Sequence, residues 1–573
     1  MPVPRAWIDR ASVGSWAVPA SLMLVAAVSP FERPIPGSPL GFTLTTLELS
    51  VAAALAAGVF TMARDPSALR WRSPITIPLA ALLVCALVSS LAAPDFRGNA
   101  LRFTGRCAAA ILLFTVAANG AVSNRLARRI VAVLLGAAAV VGAIAVLELA
   151  QVPAVLDGLK VFRPGFHVVG GQLRATSTLF YPTITSMYLE VGFALGLMWI
   201  ASHPTAQSRR GGDPVSSRLA FGALVLTGAG IIATFTRAGL ITMAISLMTY
   251  GGLVYFKRRS WGREHTRLLT LAVILTALVM VSRSPQLLVS RMSNELSQDW
   301  YGASYEVPAT LTMRPDSFND VPVTLSNRGW LTWQSAHAPA FALSYHWLSV
   351  DTEEVVIYDG LRTPFPQPVD PGEEIELQAR VRAPGYPGTY LLIWDVVQEH
   401  RTWLSLESVF PGRTIAKVEG EAVTPPLPTR GRMPSGTMRM PRSVLWSTAL
   451  DISRDHPVLG IGPDNYRLTY GPRLDLAAWD ARVHTNNTYL EVLVGMGVIG
   501  LAALTWLLVA GARATTALIS SATAYSIPFV AATTAACLAI AAHGVVDSFL
   551  TFTSTYVVFA LAAGLHFRHA HRV

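Results

Sequence analysis

Apolar segments long enough to cross a bilayer recur along the chain, and this recurrence constrains its folding more than any other feature. A hydrocarbon layer of about 30 Å takes roughly 20 apolar residues in one helix, because a helix satisfies its own backbone where no water can. Segments 14–29, 40–62, 74–92, 101–122, 130–150, 180–202, 219–235, 238–256, 268–281, 488–511, 525–543 and 551–567 meet or approach that length. They predict about twelve crossings. The composition agrees: 573 residues, 52% hydrophobic and 14% charged, with a mean hydropathy of +0.44, are too apolar for a soluble globular protein. The first run follows Arg5 and Arg10 and leads into Pro30 and Glu32 without a small-residue cleavage pattern, which predicts a membrane helix rather than a cleaved signal.

Basic residues are retained on the cytoplasmic side during insertion, so their distribution predicts orientation. Arg5 and Arg10; Arg64, Arg70 and Arg72; Arg125, Arg128 and Arg129; Arg209, Arg210 and Arg218; Lys257, Arg258, Arg259, Arg263 and Arg267; Arg513; and Arg568 with Arg572 all fall on one side of this helix count. Both termini are expected in the cytoplasm. Segments 29–39, 93–100 and 151–179 are then exported, together with a much longer one after residue 281. The net charge of +10 sits in short clusters rather than in a basic stripe interleaved with aromatics, which argues against a nucleic-acid partner. Cys85, Cys107 and Cys537 lie inside apolar stretches and read as packing residues, with neither a disulfide framework nor a zinc spacing.

The long exported loop is too large to be an ordinary connection. Between residues 303 and 418 period-2 patterns appear: PVTLSN, FALSYHWLS, EVVIYDG, EIELQARV, YLLIWDVVQ and TWLSLES. Turn-forming pieces such as Asp359-Gly360, Asp370-Pro371-Gly372 and Pro384-Gly385 separate them, which predicts an immunoglobulin-like, all-β sandwich. Trp330, Trp333, Trp347, Trp394 and Trp403 could form a sugar-stacking platform. The favoured reading for each is a place in the sandwich core, with Trp333 and Trp403 the candidates for exposure. The chain thus divides into membrane helices over 1–282, a connector over 283–302, the sandwich over 303–418 and a Pro/Gly/Arg/Thr-rich linker over 419–441. An outer helical segment over 442–486 and three last membrane helices over 487–573 complete it.

The most informative stretch is HPVLGIGPDNYR, residues 456–467, followed by HTNNTYLEVLVGMGVIG, residues 484–500, which runs directly into a membrane helix. It resembles the O-antigen ligase and O-antigen polymerase family of bacterial polytopic membrane glycosyltransferases, which carry a G-x-G-x-x-x-[FY] turn and then a His/Asn-rich helix start. Gly460, Gly462, Asn465 and Tyr466 match the first element, and His484, Asn487, Tyr489, Leu490, Glu491, Gly497 and Gly500 match the second. Many members have a His directly before the Asn, where this chain has Asn486, so the available His is His484. TFTRAG, residues 234–239, is similar to the family's T-x-S-R-G-like motif, and RATSTLFYPT, residues 174–183, to its R-x-x-G-x-F element, with Ser177 and Thr183 where Gly and Asn are common.

The resemblance implies a mainly α, C-type glycosyltransferase-like membrane bundle in the bacterial cytoplasmic (inner) membrane, with the β-sandwich on its outer side. It implies transfer of a glycan from a polyprenyl-diphosphate-linked donor to a glycan, lipid or protein acceptor, with no metal and no cofactor. The leaving group is a lipid diphosphate, and guanidinium groups bind phosphate oxygens in a bidentate way without losing their charge. Arg174 and Arg237 are the expected diphosphate ligands, with Arg102 and Arg106 as further candidates whose other reading is snorkelling to headgroups. Asn465, Tyr466, Asn487 and Tyr489 are expected to bind donor or glycan. His484 is the expected base, since a neutral imidazole with a pKa of about 6.5 can take the acceptor's proton; its other reading is a helix cap or a partner of Tyr489.

His543 and Asp547, four residues apart, are expected on one helix face, with Glu491 in a supporting role. His456 reads as structural, and Glu148 and Glu190 as partners for arginines. Ligase, polymerase and protein O-glycosyltransferase stay open within the family. From other classes, a polysaccharide transporter would carry paired ionisable residues near the bilayer midplane and inverted repeats, neither of which is visible in the sequence. A non-catalytic glycan-binding membrane protein is the remaining alternative.

Overall fold

The computed structural model describes residues 10–35, 44–65, 73–120, 123–162, 167–169, 172–200, 217–259, 262–282, 300–336, 340–399, 401–407, 409–429, 441–476 and 479–568. Most of the 283–302 connector, residues 430–440 of the linker, and Arg5, Arg70, Arg72, Arg209, Arg210 and Arg572 lie outside them.

Every apolar segment predicted to cross the membrane is mainly helical over its described residues. The first helices are α1 (Arg10–Val28), α2 (Thr46–Arg64), α3 (Thr76–Ala92), α4 (Arg97–Gly120) and α5 (Asn124–Leu149). After a short α6 (Pro153–Leu159) come α7 (Pro182–Gly196), α8 (Ser217–Ala233), α9 (Arg237–Arg258) and α10 (Arg263–Val281). The last part holds α11 (Arg442–Asp455), α12 (Tyr466–Arg473), α13 (Thr488–Ser521), α14 (Ile527–His543) and α15 (Thr553–Phe567). Among the described residues six of these, α2, α4, α5, α9, α10 and α13, are long and apolar enough to cross a membrane. The apolar helices α3, α8, α14, α15 and the 16–28 part of α1 are shorter.

Close packing sets where these helices meet. α5 lies against α8 because Gly142 and Gly230 let the backbones touch: a Cβ on Gly230 would stand 2.5 Å from the Gly142 Cα. α4 packs on α15, α9 on α14, and α3 on α13. α7 passes through the middle, buried at every residue except Thr183 and continued by a 3-10 turn over Leu197–Trp199. Basic side chains tie one end of the bundle together. Arg568 donates to Asn124 Oδ1 at 2.6 Å, Lys257 to the Ser520 carbonyl at 2.8 Å and Arg267 to the Ile200 carbonyl at 3.3 Å.

The opposite end carries the motifs and the β region. A small hairpin, β1 (His167–Val169) with β2 (Gln172–Arg174), was not foreseen in the 151–179 segment, and its Leu173 joins the hydrophobic core of the β region. That region begins with β3 (Ala303–Glu306), β4 (Thr310–Met313), β5 (Phe318–Asn327), β6 (Phe341–Ser349), β7 (Val355–Ile357) and β8 (Thr363–Pro364). It continues through β9 (Glu374–Arg382), β10 (Gly388–Gln398), β11 (Thr402–Trp403) and β12 (Gly412–Val418). One sheet follows the order β4-β12-β10-β6-β7, with β11 on β10 and β8 on β6; the other is β3-β5-β9. The TWLSLES segment is a strand only over Thr402–Trp403, after which it turns into a 3-10 helix.

Strand periodicity was visible where one face meets water. β9 alternates exposed and buried at every residue, whereas β6 is buried at both faces over eight of its nine residues. Both sheets contribute to a shared core built on Trp347, Trp394, Tyr345, Val323 and Leu377. Trp333, an expected exposed candidate, is instead fully buried and stacked on Phe365 at 5.5 Å, because its backbone bridges to Val369. Of the five tryptophans considered for the platform, Trp330 is the exposed one, at 54%. Trp403 offers no open platform: His346 lies 4.4 Å from its ring and the Arg362 guanidinium 4.9 Å from it.

Candidate active site

The site is built where a broken helix meets a glycine turn. Gly497 interrupts α13 with φ +65° and ψ −167°, a conformation essentially confined to glycine. The break frees backbone groups of α13, and the 457–462 turn takes them: Val498 N–H donates to Pro457 O at 2.9 Å, Ile461 N–H to Val494 O at 3.0 Å and Gly462 N–H to Gly495 O at 2.9 Å. No side chain fits at the crossing, since a Cβ on Gly497 would lie 2.1 Å from Val458 O and one on Gly460 2.5 Å from Val494 O. Ser89 of α3 clasps both strands of the crossing, its hydroxyl 2.6 Å from Leu459 O and 2.6 Å from Gly495 O.

This clasp presents Asp464 and holds it. Asp464 sits at φ +65°, and its Oδ2 accepts from Arg467 and from Asn99 of α4. Arg467 also donates to Asn99 Oδ1 at 2.6 Å and to Ala481 O at 2.9 Å. Asn465 is buried and consumed by the same bracket, donating to Asp95 O and Ile461 O and accepting from Asn99 at 3.0 Å. Asp464, Arg467 and Asn99 were missed as site residues. Asp464 and Arg467 stood inside the quoted motif, whereas nothing local marked Asn99, hundreds of residues earlier.

His484 reaches the same place from the other side. Its Nδ1 lies 3.6 Å from Glu491 Oε1 and 3.8 Å from Asp464 Oδ1, and the ring is 7% exposed. Glu491, one turn into α13, is aligned by Thr485, whose N–H and hydroxyl both donate to Oε2 at 3.1 and 2.9 Å. Burial works against a charge on His484, but the Glu491 and Asp464 carboxylates outweigh it and lift its pKa above the ordinary histidine value. Asn487 starts α13 as its N-cap, its Oδ1 accepting from Tyr489 N and Leu490 N at 2.9 and 3.0 Å. The Tyr489 hydroxyl donates to Ala541 O at 2.9 Å. Tyr466 is fully buried against Tyr470 with its hydroxyl on Leu445 O, so its place is in the packing of α11 on α12. His456 is the exposed C-cap of α11.

Arg174 and the TFTRAG sequence are brought together. Arg174 Nε donates to Thr234 O at 3.0 Å and its NH2 to Thr236 Oγ1 at 3.2 Å, directly before Arg237 opens α9. Glu148, at the end of α5, pins the 174–183 turn by accepting from Thr176 N and Ser177 N at 3.1 and 2.7 Å. Arg482, two residues before His484, is paired with Asp480 at 2.8 Å and interacts electrostatically with Tyr181 of that turn. Arg102 and Arg106 are exposed on α4; Arg102 folds back on Gly98 O, and Arg106 acts electrostatically on Glu32.

Two expectations near His543 are corrected. α14 ends at His543, so Asp547 lies in the following turn, not on the same helix face, and its carboxylate accepts from Ser548 N. Glu190, expected beside an arginine, is paired with His543 at 2.8 Å.

These features define a helical membrane protein with a separate β region and a histidine–carboxylate site at the end of the bundle. A family model described as O-Antigen ligase matches residues 398–505, a stretch that contains the glycine turn, His484, Glu491 and the break in α13. The Arg174 and Arg237 elements lie outside the matched stretch. No curated protein matches the chain.

Proposed function

We propose that the chain is a metal-independent glycosyltransferase that moves a glycan from a polyprenyl-diphosphate-linked donor to an acceptor hydroxyl at the outer face of the bacterial cytoplasmic membrane. The observation that carries this reading is the His484 ring backed by two carboxylates inside the family-matched stretch. With Nδ1 turned to Glu491 and Asp464, the opposite ring nitrogen, Nε2, is the one that takes the acceptor's proton. As the acceptor oxygen bonds to the anomeric carbon, the bond from that carbon to the diphosphate oxygen breaks and its electron pair leaves with the lipid diphosphate. The carboxylates stabilise the imidazolium so formed, the logic by which an acid behind a histidine supports a general base.

Arg237 and Arg174 grip the departing diphosphate; fixed cations at a developing anion contribute strongly where water is scarce. The twelve-crossing topology, with cytoplasmic termini and the β region outside as an immunoglobulin-like sandwich that positions glycan or acceptor, fits the basic residues at the bundle end opposite His484. The domain division set out above belongs to the same reading.

The test is glycan transfer by purified protein in reconstituted membranes, comparing wild type with His484→Ala and Arg237→Ala. Loss in both folded variants supports the reading, and wild-type rates in both would sink it. Labelled lipid-linked donor then separates ligase, polymerase and protein O-glycosyltransferase by which product carries the label, while a transporter or a binding protein releases no lipid diphosphate.

A further inference from the structure

The head of α7 carries an aromatic ring that folding leaves open: Phe180 is 53% exposed. α7 itself is buried at every residue except Thr183, so a ring just before it stands at the middle of the bundle's end and not against lipid. The β1–β2 hairpin leaves it uncovered too, although Leu173 of that hairpin enters the β-region core. The backbone under the ring is fixed from several sides. Thr178 Oγ1 donates to Pro30 O at 2.6 Å, and His167 Nε2–H donates to Phe180 O at 3.1 Å. The Tyr181 ring meets His167 at 5.1 Å and Phe552, the N-cap of α15, at 6.0 Å. Phe180 thus forgoes the stabilisation that burying a phenyl group brings, on a segment held in place by its neighbours.

This segment joins two parts of the site. Six residues before Phe180, Arg174 forks onto Thr234 O and Thr236 Oγ1, directly before Arg237. On the other side, Tyr181 interacts electrostatically with Arg482, two residues before His484. The Arg482 side chain is 71% exposed, and two hydrogen bonds of 2.8 and 3.0 Å hold its guanidinium to Asp480, whose carboxylate acts electrostatically on His484. Phe180 therefore lies along the chain of contacts that runs from the expected diphosphate ligands to the loop of the base. In glycan transfer the group between leaving diphosphate and base is the sugar whose anomeric carbon exchanges one oxygen for another. A sugar asks for two kinds of contact: its apolar C–H face packs on an aromatic ring, and its hydroxyls bond planar charged groups. Phe180 supplies the first. Arg482 and Asp480 supply the second, since both keep bonding capacity beyond their mutual pair.

We propose that Phe180 is the stacking surface for the pyranose attached to the lipid diphosphate, and that Arg482 and Asp480 bond the hydroxyls of that sugar. This rests on the donor class in the reading above and adds to it the subsite that selects the first sugar.

The experiment is calorimetric binding to the full chain in lipid nanodiscs. The probes are bare polyprenyl diphosphate and polyprenyl diphosphates carrying N-acetylglucosamine, N-acetylgalactosamine, glucose or galactose in turn. Wild type is compared with Phe180→Ala, Phe180→Trp and Arg482→Ala, each checked for an unchanged melting temperature, and the sugar proton resonances are followed for the upfield shift that a ring beneath them causes. Wild type is expected to bind at least one sugar-bearing probe about tenfold or more tighter than the bare diphosphate. Phe180→Ala and Arg482→Ala should remove most of that advantage while binding the bare diphosphate as wild type does. Phe180→Trp, which keeps an aromatic face, should retain both the advantage and the upfield shift. No advantage for any of the four sugars in wild type, or an advantage and shift that survive in folded Phe180→Ala, would overturn the inference and leave the glycosyltransferase reading standing. An equal loss of bare diphosphate binding in Phe180→Ala would overturn it as well, since the residue would then support the diphosphate site and not a sugar. If wild type binds no polyprenyl diphosphate at all, the glycosyltransferase reading fails and this inference with it.

Discussion

His484 Nδ1 and Glu491 Oε1 stand 3.6 Å apart, joining the loop before α13 to the first turn of that helix, with Asp464 3.8 Å from the same nitrogen. Two carboxylates behind one imidazole make its protonation state the quantity to measure.

Transfer is expected to be slow in acid, where His484 carries a proton, and to rise with pH through a value above the ordinary histidine pKa of about 6.5. Glu491→Gln removes a charge that favours the imidazolium, so the acidic limb should move to lower pH while the plateau rate falls. A pH–rate profile of both proteins checks this; a limb that stays put would separate Glu491 from the base. The raised pKa also means that the histidine's contribution to folding, while Glu491 stays ionised, is complete below about pH 6.5 and is lost as pH rises through the folded-state value.

Arg237→Ala should lower transfer about a hundredfold, the scale seen when one donor to a developing anion is removed. Arg174→Lys keeps the charge but loses the fork that spans Thr234 O and Thr236 Oγ1, so a raised KM together with a lowered rate is expected. Steady-state kinetics with a fixed acceptor and varied donor distinguish the two.

Gly497→Ala places a Cβ 2.1 Å from Val458 O at a backbone conformation that other residues avoid, at a strain of about 1–3 kcal/mol before the clash is counted. A lowered melting temperature is expected together with lost transfer, because the break in α13 holds the turn that presents Asp464. Wild-type melting and activity would show that the crossing can reform without glycine.

In the β region, Trp394→Ala should cost about 3–5 kcal/mol, since its ring fills the core and its Nε1–H donates to Thr414 Oγ1 at 2.9 Å. Trp330→Ala, at an exposed position, should leave stability within about 0.5 kcal/mol of wild type. Denaturant unfolding followed by tryptophan fluorescence compares them, and an equal loss from both would contradict the burial of Trp394.

Much of this was legible in local sequence. Apolar runs located the helices, because each span must satisfy its own backbone, and alternation located strands such as β9, whose outer face meets water. The stretch from Gly460 to Gly500 was legible as a motif, since Gly460, Gly462 and Gly497 occupy conformations other residues avoid. Where both strand faces are buried, as in β6, alternation no longer tells inside from outside, and the exposure of Trp333 was misjudged for want of its contact with Phe365.

Tertiary structure alone decided the pairings. Periodicity tells which face of an element is apolar, but not which distant residue will meet a polar side chain there. Glu190 and His543 are 353 residues apart, and Asn99 reaches Asp464 from 365 residues away, so no window of sequence contains either contact. A buried charge needs a partner, and the packing of helices selects which one. The sequence by itself determined a membrane helix bundle with an inserted β region and a histidine motif; the folded chain decided that His484 stands between Glu491 and Asp464, and that His543 turns to Glu190.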